Sequence, residues 1–213
     1  MHRADRRVPV LILFCLCLAI SLPSLATQVE IKTSLGSFVV ELDEEKAPVS
    51  VANFLAYVDA GAYTDTIFHR VIPGFMVQGG GHYRDMSEAE DGETIFNEAA
   101  NGLKNLRGTI AMARFDEIDS ASRQFFINAA DNDFLDHKPT SCTREDMAAE
   151  AAARARGLRK PRTCDSYGYA VFGRVVSGMD IVDLIEFTET RDVASHQDVP
   201  VVRVVILSID RVR

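Results

Sequence analysis

The chain has no tryptophan, no CxxC or HxxH pair, no internal repeat, and no apolar run long enough to span a bilayer. Each of these gaps removes a class of function. Without such cysteine and histidine spacings there is no pattern for a structural metal site. The run Gly79-Gly80-Gly81 is not followed by a Gly-Lys-Ser/Thr signature and opens no helix, so it reads as a turn or bulge rather than a phosphate loop. Asp116, Glu117 and Asp119 miss the spacing of a calcium loop and read as solvated loop. No serine or cysteine sits in a motif that supplies an activating base, which removes the hydrolases.

The longest apolar run, Val8 to Ile20, follows Arg3, Arg6 and Arg7 and precedes the small residues Ser24 and Ala26. That layout predicts a secretory signal peptide over residues 1–26, and the run is shorter than the ~20 residues that cross a membrane. The expected location is therefore periplasmic or secreted, with no stable membrane insertion after cleavage. Cleavage would leave 20 basic and 30 acidic residues, a net charge of −10. A surface of that sign repels phosphate backbones and argues against a nucleic-acid partner. Cys15 and Cys17 leave with the leader, so Cys142 and Cys164 remain as a pair, and an even count in an oxidising compartment favours a disulfide. The alternatives are two free thiols, or a metal site with His137 that has no supporting spacing.

The rest of the chain reads as one domain, residues 27–213. Val29, Ile31 and Thr33 alternate with polar residues, Leu35-Gly36 turns the chain, and Phe38 to Leu42 returns as a second strand. Pro48 suits a first helical turn, and Val51, Phe54, Leu55 and Val58 fall on one face of a helix ended by Gly61. Strand-like stretches follow at Thr66 to Gly80, broken by Pro73-Gly74, and at Gly108 to Ala113, Gln124 to Ala129 and Tyr169 to Val176. Gly178 to Phe187 reads as a second helix with Met179, Val182 and Ile185 or Phe187 for its buried side, and Val199 to Asp210 as a final strand. Many short strands with two helices suggest a closed antiparallel barrel.

Lys138 to Ser166 interrupts this plan as an insertion. Thr143 and Asp146 sit three apart, an alanine-rich run from Met147 to Arg156 follows, and Gly157 closes it, the pattern of a capped helix bracketed by Cys142 and Cys164. A helix this short is marginal alone, so a crosslink at its base would contribute ~3 kcal/mol by restricting the unfolded loop. It reads either as a partner-binding excursion or as an inert stapled insertion, and the second is favoured.

The most informative run is Phe68-His69-Arg70-Val71-Ile72-Pro73-Gly74-Phe75-Met76-Val77-Gln78-Gly79-Gly80. It resembles the signature of the cyclophilin-type peptidyl-prolyl cis-trans isomerases. Met112-Ala113-Arg114, the run Ser120 to Asn128 and the run Tyr169 to Val175 are similar to that family's later segments, in the family's order. The resemblance implies a mainly β fold, a closed eight-stranded antiparallel barrel capped by two α-helices, acting on proline-containing polypeptides as a monomer without cofactor or metal. It implies Arg70 as the catalytic residue, a proline pocket of Phe75, Met76, Phe126 and Leu135, and substrate-backbone contacts from Gln78, Ala113, Arg114 and Gln124. Phe134, Tyr169 and His69 would complete the rim. Phe134 replaces the tryptophan of many eukaryotic members and Tyr169 a frequent histidine, as in the bacterial exported branch, which implies weak cyclosporin binding.

These residue types suit the reaction. Amide resonance gives the Xaa-Pro bond a barrier of ~18–20 kcal/mol, and twisting it puts a lone pair on the prolyl nitrogen. A fixed donor aimed there stabilises the twisted state above either planar one. An arginine stays charged and presents several N–H groups in one plane, and an apolar slot for the ring strengthens that hydrogen bond. Ideal strand parity places Phe68 with Arg70, Met76 with Gln78, and Gln124 with Phe126, but turns His69 away from Arg70 and sets Phe75 against Met76 unless the Pro73-Gly74 turn or a bulge re-aims one of them. A second reading, a peptide-binding chaperone or assembly module, could use the same groove without needing Arg70.

Overall fold

The computed structural model describes residues 26–138 and 167–212, with Arg144, Ala148, Ala151, Ala152, Ala155 and Arg156 between them. The proposed leader up to Leu25, the Cys142 and Cys164 pair, and most of the Lys138 to Ser166 insertion lie outside the described residues.

The described residues include ten strands, two α-helices and two 3-10 turns (Ala99–Asn101 and Asp133–Leu135), and Arg144, Ala148, Ala151, Ala152 and Ala155 of the insertion are helical as well; the strands and α-helices are β1 (Gln28–Thr33), β2 (Gly36–Leu42), α1 (Pro48–Asp59), β3 (Thr66–Ile72), β4 (Met76–Tyr83), β5 (Thr109–Met112), β6 (Phe125–Asn128), β7 (Val171–Ser177), α2 (Met179–Glu186), β8 (Thr190–Val193), β9 (His196–Pro200) and β10 (Val204–Arg211). Eight strands close into an antiparallel barrel in the order β1-β10-β3-β4-β6-β5-β7-β2, and β8 and β9 form a separate hairpin. Alternation builds the wall. Val29, Ile31, Phe38, Val40 and Leu42 point inward and are buried, and Val29 faces Val40 as Ile31 faces Phe38 across the first hairpin. The interior is aromatic at its centre: Phe54 of α1 packs against Phe125, Phe172 and Tyr63 with ring centroids 5.6, 5.3 and 5.4 Å away.

Helix α1 buries Val51, Phe54, Leu55 and Val58 as its spacing requires. Its first residue is Pro48, but the preceding Ala47 has no side chain to cap the free amides. Glu98 does so from a distance, its carboxylate accepting the Val49 and Ser50 N–H groups at 3.0 and 2.7 Å and the Ser50 hydroxyl at 2.7 Å.

Two expectations need correction. In α2, Val182 and Ile185 are buried, but Phe187 is 73% exposed, because the helix ends at Glu186 and the next residue turns outward. Glu186 is buried in its place. The expected single strand from Val199 to Asp210 is two strands, broken at Val201 to Arg203, and the polar Thr190–Val193 pairs with His196–Pro200 as a hairpin with Ala194 at φ 53°. A strand of Thr, Arg, Asp and Val carries no period-2 signal, so nothing in the pattern marked it.

Candidate active site

The site begins with a fault in the β3–β4 ladder. Phe68 pairs with Gly79 and Arg70 with Gln78, so β3 spends one residue more than β4 between these pairs. This bulge changes the facing: Phe68 lies in the barrel interior with Val71, while Arg70 is half-buried on the outer side. The expectation that Phe68 and Arg70 share a face is therefore wrong, since it assumed an unbroken strand.

From Arg70 a row runs across five strands. Arg70 faces Gln78, Gln78 faces Phe126, Phe126 faces Ala111, and Ala111 faces Val171. The flanking residues Val71, Val77, Phe125, Ile127 and Phe172 belong to the interior, so the row is the outer face of this wall. Met76, Ala111, Phe126, Leu135 and Val171 form one buried apolar cluster there, with Ile72, Phe75, Leu103, Ala113 and Tyr169 half-buried against it. The result is a greasy slot with a cation at one end.

Phe75 joins Met76 in this cluster because it belongs to the turn, before the β4 alternation starts. The Phe75 N–H donates to Ile72 at 3.1 Å, Gly74 takes φ 71°, and the Gly74 N–H donates to the buried Glu186 carboxylate at 2.7 Å. Beyond the turn the Phe75 carbonyl accepts from the Ala129 amide and the Asn132 side chain, both at 2.9 Å. Its ring meets Phe134 at 5.5 Å, and Phe134, 59% exposed, lies at the rim beside the buried Leu135 on a short 3-10 turn. Opposite, Phe126 and Tyr169 pack edge to face at 5.8 Å.

The polar side is equally fixed. Gln78 donates to the Gln124 side-chain oxygen at 2.9 Å, and Gln124 lies over Gly81, where a Cβ would come within 2.4 Å of its amide carbon. Ala113 donates its N–H to the Gln124 carbonyl at 2.9 Å. A small hollow of about 50 Å³ continues past Gln78, between Ala113, Gln124 and Ser122. The Arg114 guanidinium donates to the carbonyls of Gly168, Phe115 and Asp116 and lies 4.6 Å over the Tyr169 ring. It ties two loops together and fixes Tyr169. By contrast Arg70 has no hydrogen bond or ion pair to another described residue.

His69 stands apart. Its imidazole is 5% exposed and packs on His82 at 4.5 Å, so the structure does not bring it to the rim where the sequence reading put it. The bulge that turns Arg70 outward gives His69 a neighbour on the other side. Sequence reasoning missed Ala111 and Val171, whose strands it had located but whose register it could not see, and Gly81, whose need to be glycine comes from Gln124.

A wider groove of about 580 Å³ opens past Val171, lined by Asp43, Glu44, Glu45, Leu103 and Lys104 among others. Its cations are occupied, Arg174 with Glu41 at 2.9 Å and Lys104 with Asp136 at 3.4 Å. Among the described residues no group of histidines, cysteines or carboxylates is arranged to hold a metal ion, and no helix is long and apolar enough to cross a membrane.

Residues 28–211 match the family model of the cyclophilin type peptidyl-prolyl cis-trans isomerases. The chain is 49% identical over 183 residues to peptidyl-prolyl cis-trans isomerase A of Dickeya dadantii, covering 86% of this chain and 83% of that one. It is 45% identical over 177 residues to peptidyl-prolyl cis-trans isomerase B of Escherichia coli, covering 83% and 94%. Among solved structures, a cyclophilin type isomerase of Cryptosporidium parvum superposes with a TM-score of 0.61 at 22% identity, covering 88% of this chain and 98% of that one, which speaks for the barrel alone. With the match spanning both the barrel and the Arg70 wall, the chain belongs to the cyclophilin-type peptidyl-prolyl cis-trans isomerases.

Proposed function

We propose that Arg70 is the catalytic residue of this isomerase and that the slot of Phe75, Met76, Phe126 and Leu135 takes the substrate proline. The observation that carries this reading is the row from Arg70 through Gln78 to Phe126, which sets an uncommitted guanidinium beside apolar walls. The pyrrolidine ring enters the slot, and Gln78, Gln124 and the Ala113-Arg114 backbone hold the peptide on either side of it. As the bond twists, the prolyl nitrogen regains its lone pair and Arg70 donates to it. This hydrogen bond exists only in the twisted state, so it lowers the barrier without tightening either planar ground state. No covalent bond is made or broken, so the proposed step needs no nucleophile.

The experiment is exchange spectroscopy on a short Xaa-Pro peptide, with and without cyclosporin. Phe134 has no ring N–H donor, and catalysis is expected to persist at cyclosporin concentrations of roughly 1 μM, which corresponds to about −8 kcal/mol of binding. Peptide binding without acceleration would instead favour the chaperone reading, and complete inhibition at that concentration would overturn the role given to Phe134.

We further propose that the enzyme works on exported proteins, where slow Xaa-Pro rotation limits folding, as a monomer without a nucleic-acid partner. The leader-like residues 1–26 support export, and the net charge of −10 after them argues against a nucleic-acid partner. Intact mass of unreduced protein recovered from the cell envelope should correspond to a chain beginning at Thr27 with Cys142 joined to Cys164. Two alkylatable thiols in that sample would refute the bridge, and an uncut leader would refute the location.

A further inference from the structure

Three imidazoles meet behind the catalytic wall. His69 of β3 packs on His82 of β4 with ring centroids 4.5 Å apart, and His82 packs on His196 of β9 at 4.8 Å. His69 and His82 are 5% and 6% exposed. The His69 Nδ1 and both ring nitrogens of His82 have no hydrogen-bond partner among the described residues. Buried polar nitrogens without partners destabilise a fold, so this stack is more than packing filler.

Its position gives it a role. His69 is the residue between Phe68 and Arg70, where β3 carries its extra residue, so the conformation of the bulge and the direction of Arg70 depend on where His69 is held. Holding it are His82 from the neighbouring strand and, through His82, the β8–β9 hairpin. We propose that the His69–His82–His196 stack positions Arg70 only while His69 and His82 are uncharged, so that acidification releases the β8–β9 hairpin and the arginine loses its aim. This rests on the catalytic role given to Arg70 above.

The surrounding charges agree. Burial pushes His69 down to about 3, and His82, His196 and Arg70 push in the same direction. His82 is also held below its ordinary value, by burial first and by His196, against the opposing pull of Glu88 and Asp91 in the segment after β4. A histidine whose folded value lies below its free value contributes full stability above about 6.5 and loses it as the pH falls, because the opened form takes the proton that the stack refuses. For His69 alone the opened form gains about tenfold per pH unit below about 6.5, and His82 adds to this.

The readout is specific because no side chain of the proposed slot titrates between about pH 4 and 8. Arg70, Gln78, Gln124, Phe126 and Met76 alone would give a flat rate profile. We expect kcat/KM, from exchange spectroscopy on a peptide lacking ionisable side chains, to fall at least about tenfold between about pH 7.5 and 4 in the wild type. His69→Phe/His82→Phe keeps the ring stack without the depressed imidazoles and should hold its rate within about twofold across that range. Amide exchange should show the hairpin amides of Thr190–Val193 and His196–Pro200 opening in acid in the wild type and not in the variant. A flat wild-type profile, or an acid limb that survives in the variant, would overturn the proposal. His69→Phe alone, which removes the imidazole held furthest below its free value, serves if the double variant does not fold. The hairpin exchange does not depend on Arg70, so failure of the arginine's catalytic role would show as acid opening without a rate change.

Discussion

Arg70→Ala is expected to lower kcat/KM for prolyl isomerisation by about 10²–10³-fold, the usual effect of removing one preorganised donor from a transition state. The structure makes the two halves of this prediction separable. Arg70 is half-buried with no hydrogen bond or ion pair to a described residue, so its removal leaves no partner unsatisfied and should shift stability little. The slot of Met76, Phe126 and Leu135 is untouched, so peptide affinity should change far less than turnover. Arg70→Lys should recover only a part, since an ammonium is a point charge on a flexible stem and lacks the planar array of donors. Exchange spectroscopy on wild type and both variants measures this directly, and equal rates for Arg70→Ala and wild type would remove the residue from the mechanism.

Phe125 and Phe126 are neighbours in β6, yet their replacement should produce opposite phenotypes. Phe125 points inward, fully buried, with edge-to-face contacts to Phe54, Tyr63 and Phe68 at 5.6, 5.5 and 6.1 Å. Cutting it to alanine leaves a cavity in the middle of the barrel, at a cost of about 3–5 kcal/mol, which for a domain of this size lowers Tm by roughly 6–20 °C. Phe126 points outward into the slot, facing Gln78 and Ala111 and packing on Tyr169. Phe126→Ala removes the wall against which the proline ring would rest, about 1.5–3 kcal/mol of apolar contact, or roughly 10- to 150-fold in kcat/KM, with a smaller drop in Tm because Phe126 packs on one aromatic ring where Phe125 packs on three. Thermal denaturation beside the isomerisation assay checks both. A Phe126→Ala protein as unstable as Phe125→Ala but fully active would show that the outer cluster is only core.

That difference between two adjacent residues was legible in the sequence, because period-2 alternation is a local signal. The same signal located β1 and β2, a short apolar run located β6, a helical spacing of apolar residues located both helices, and the family resemblance joined the segments that form the Arg70 wall. What the pattern could not carry were facts of register and of distance along the chain. The bulge at His69 is a mismatch between two strands, visible only once Phe68 is opposite Gly79 and Arg70 opposite Gln78. Phe75 is aimed by Glu186, which binds the Gly74 amide from 112 residues away, and α1 is capped by Glu98 because Ala47 cannot do it. The β8–β9 hairpin escaped notice because a polar four-residue strand has no hydrophobic period to read.

The seam of the barrel carries a further consequence. Gln28–Thr33 at the start of the domain lies between β2 and Val204–Arg211 at its end, and the Val212 amide donates to the Gln28 carbonyl at 2.8 Å. A chain emerging N-terminus first, from a ribosome or a translocation channel, therefore cannot complete its wall until its last strand is free. Until then β1 and β3 both lack the partner that separates them, and the ladder that carries Arg70 has an open edge. Completion of the wall that carries Arg70 therefore waits on β10, the last barrel strand in chain order.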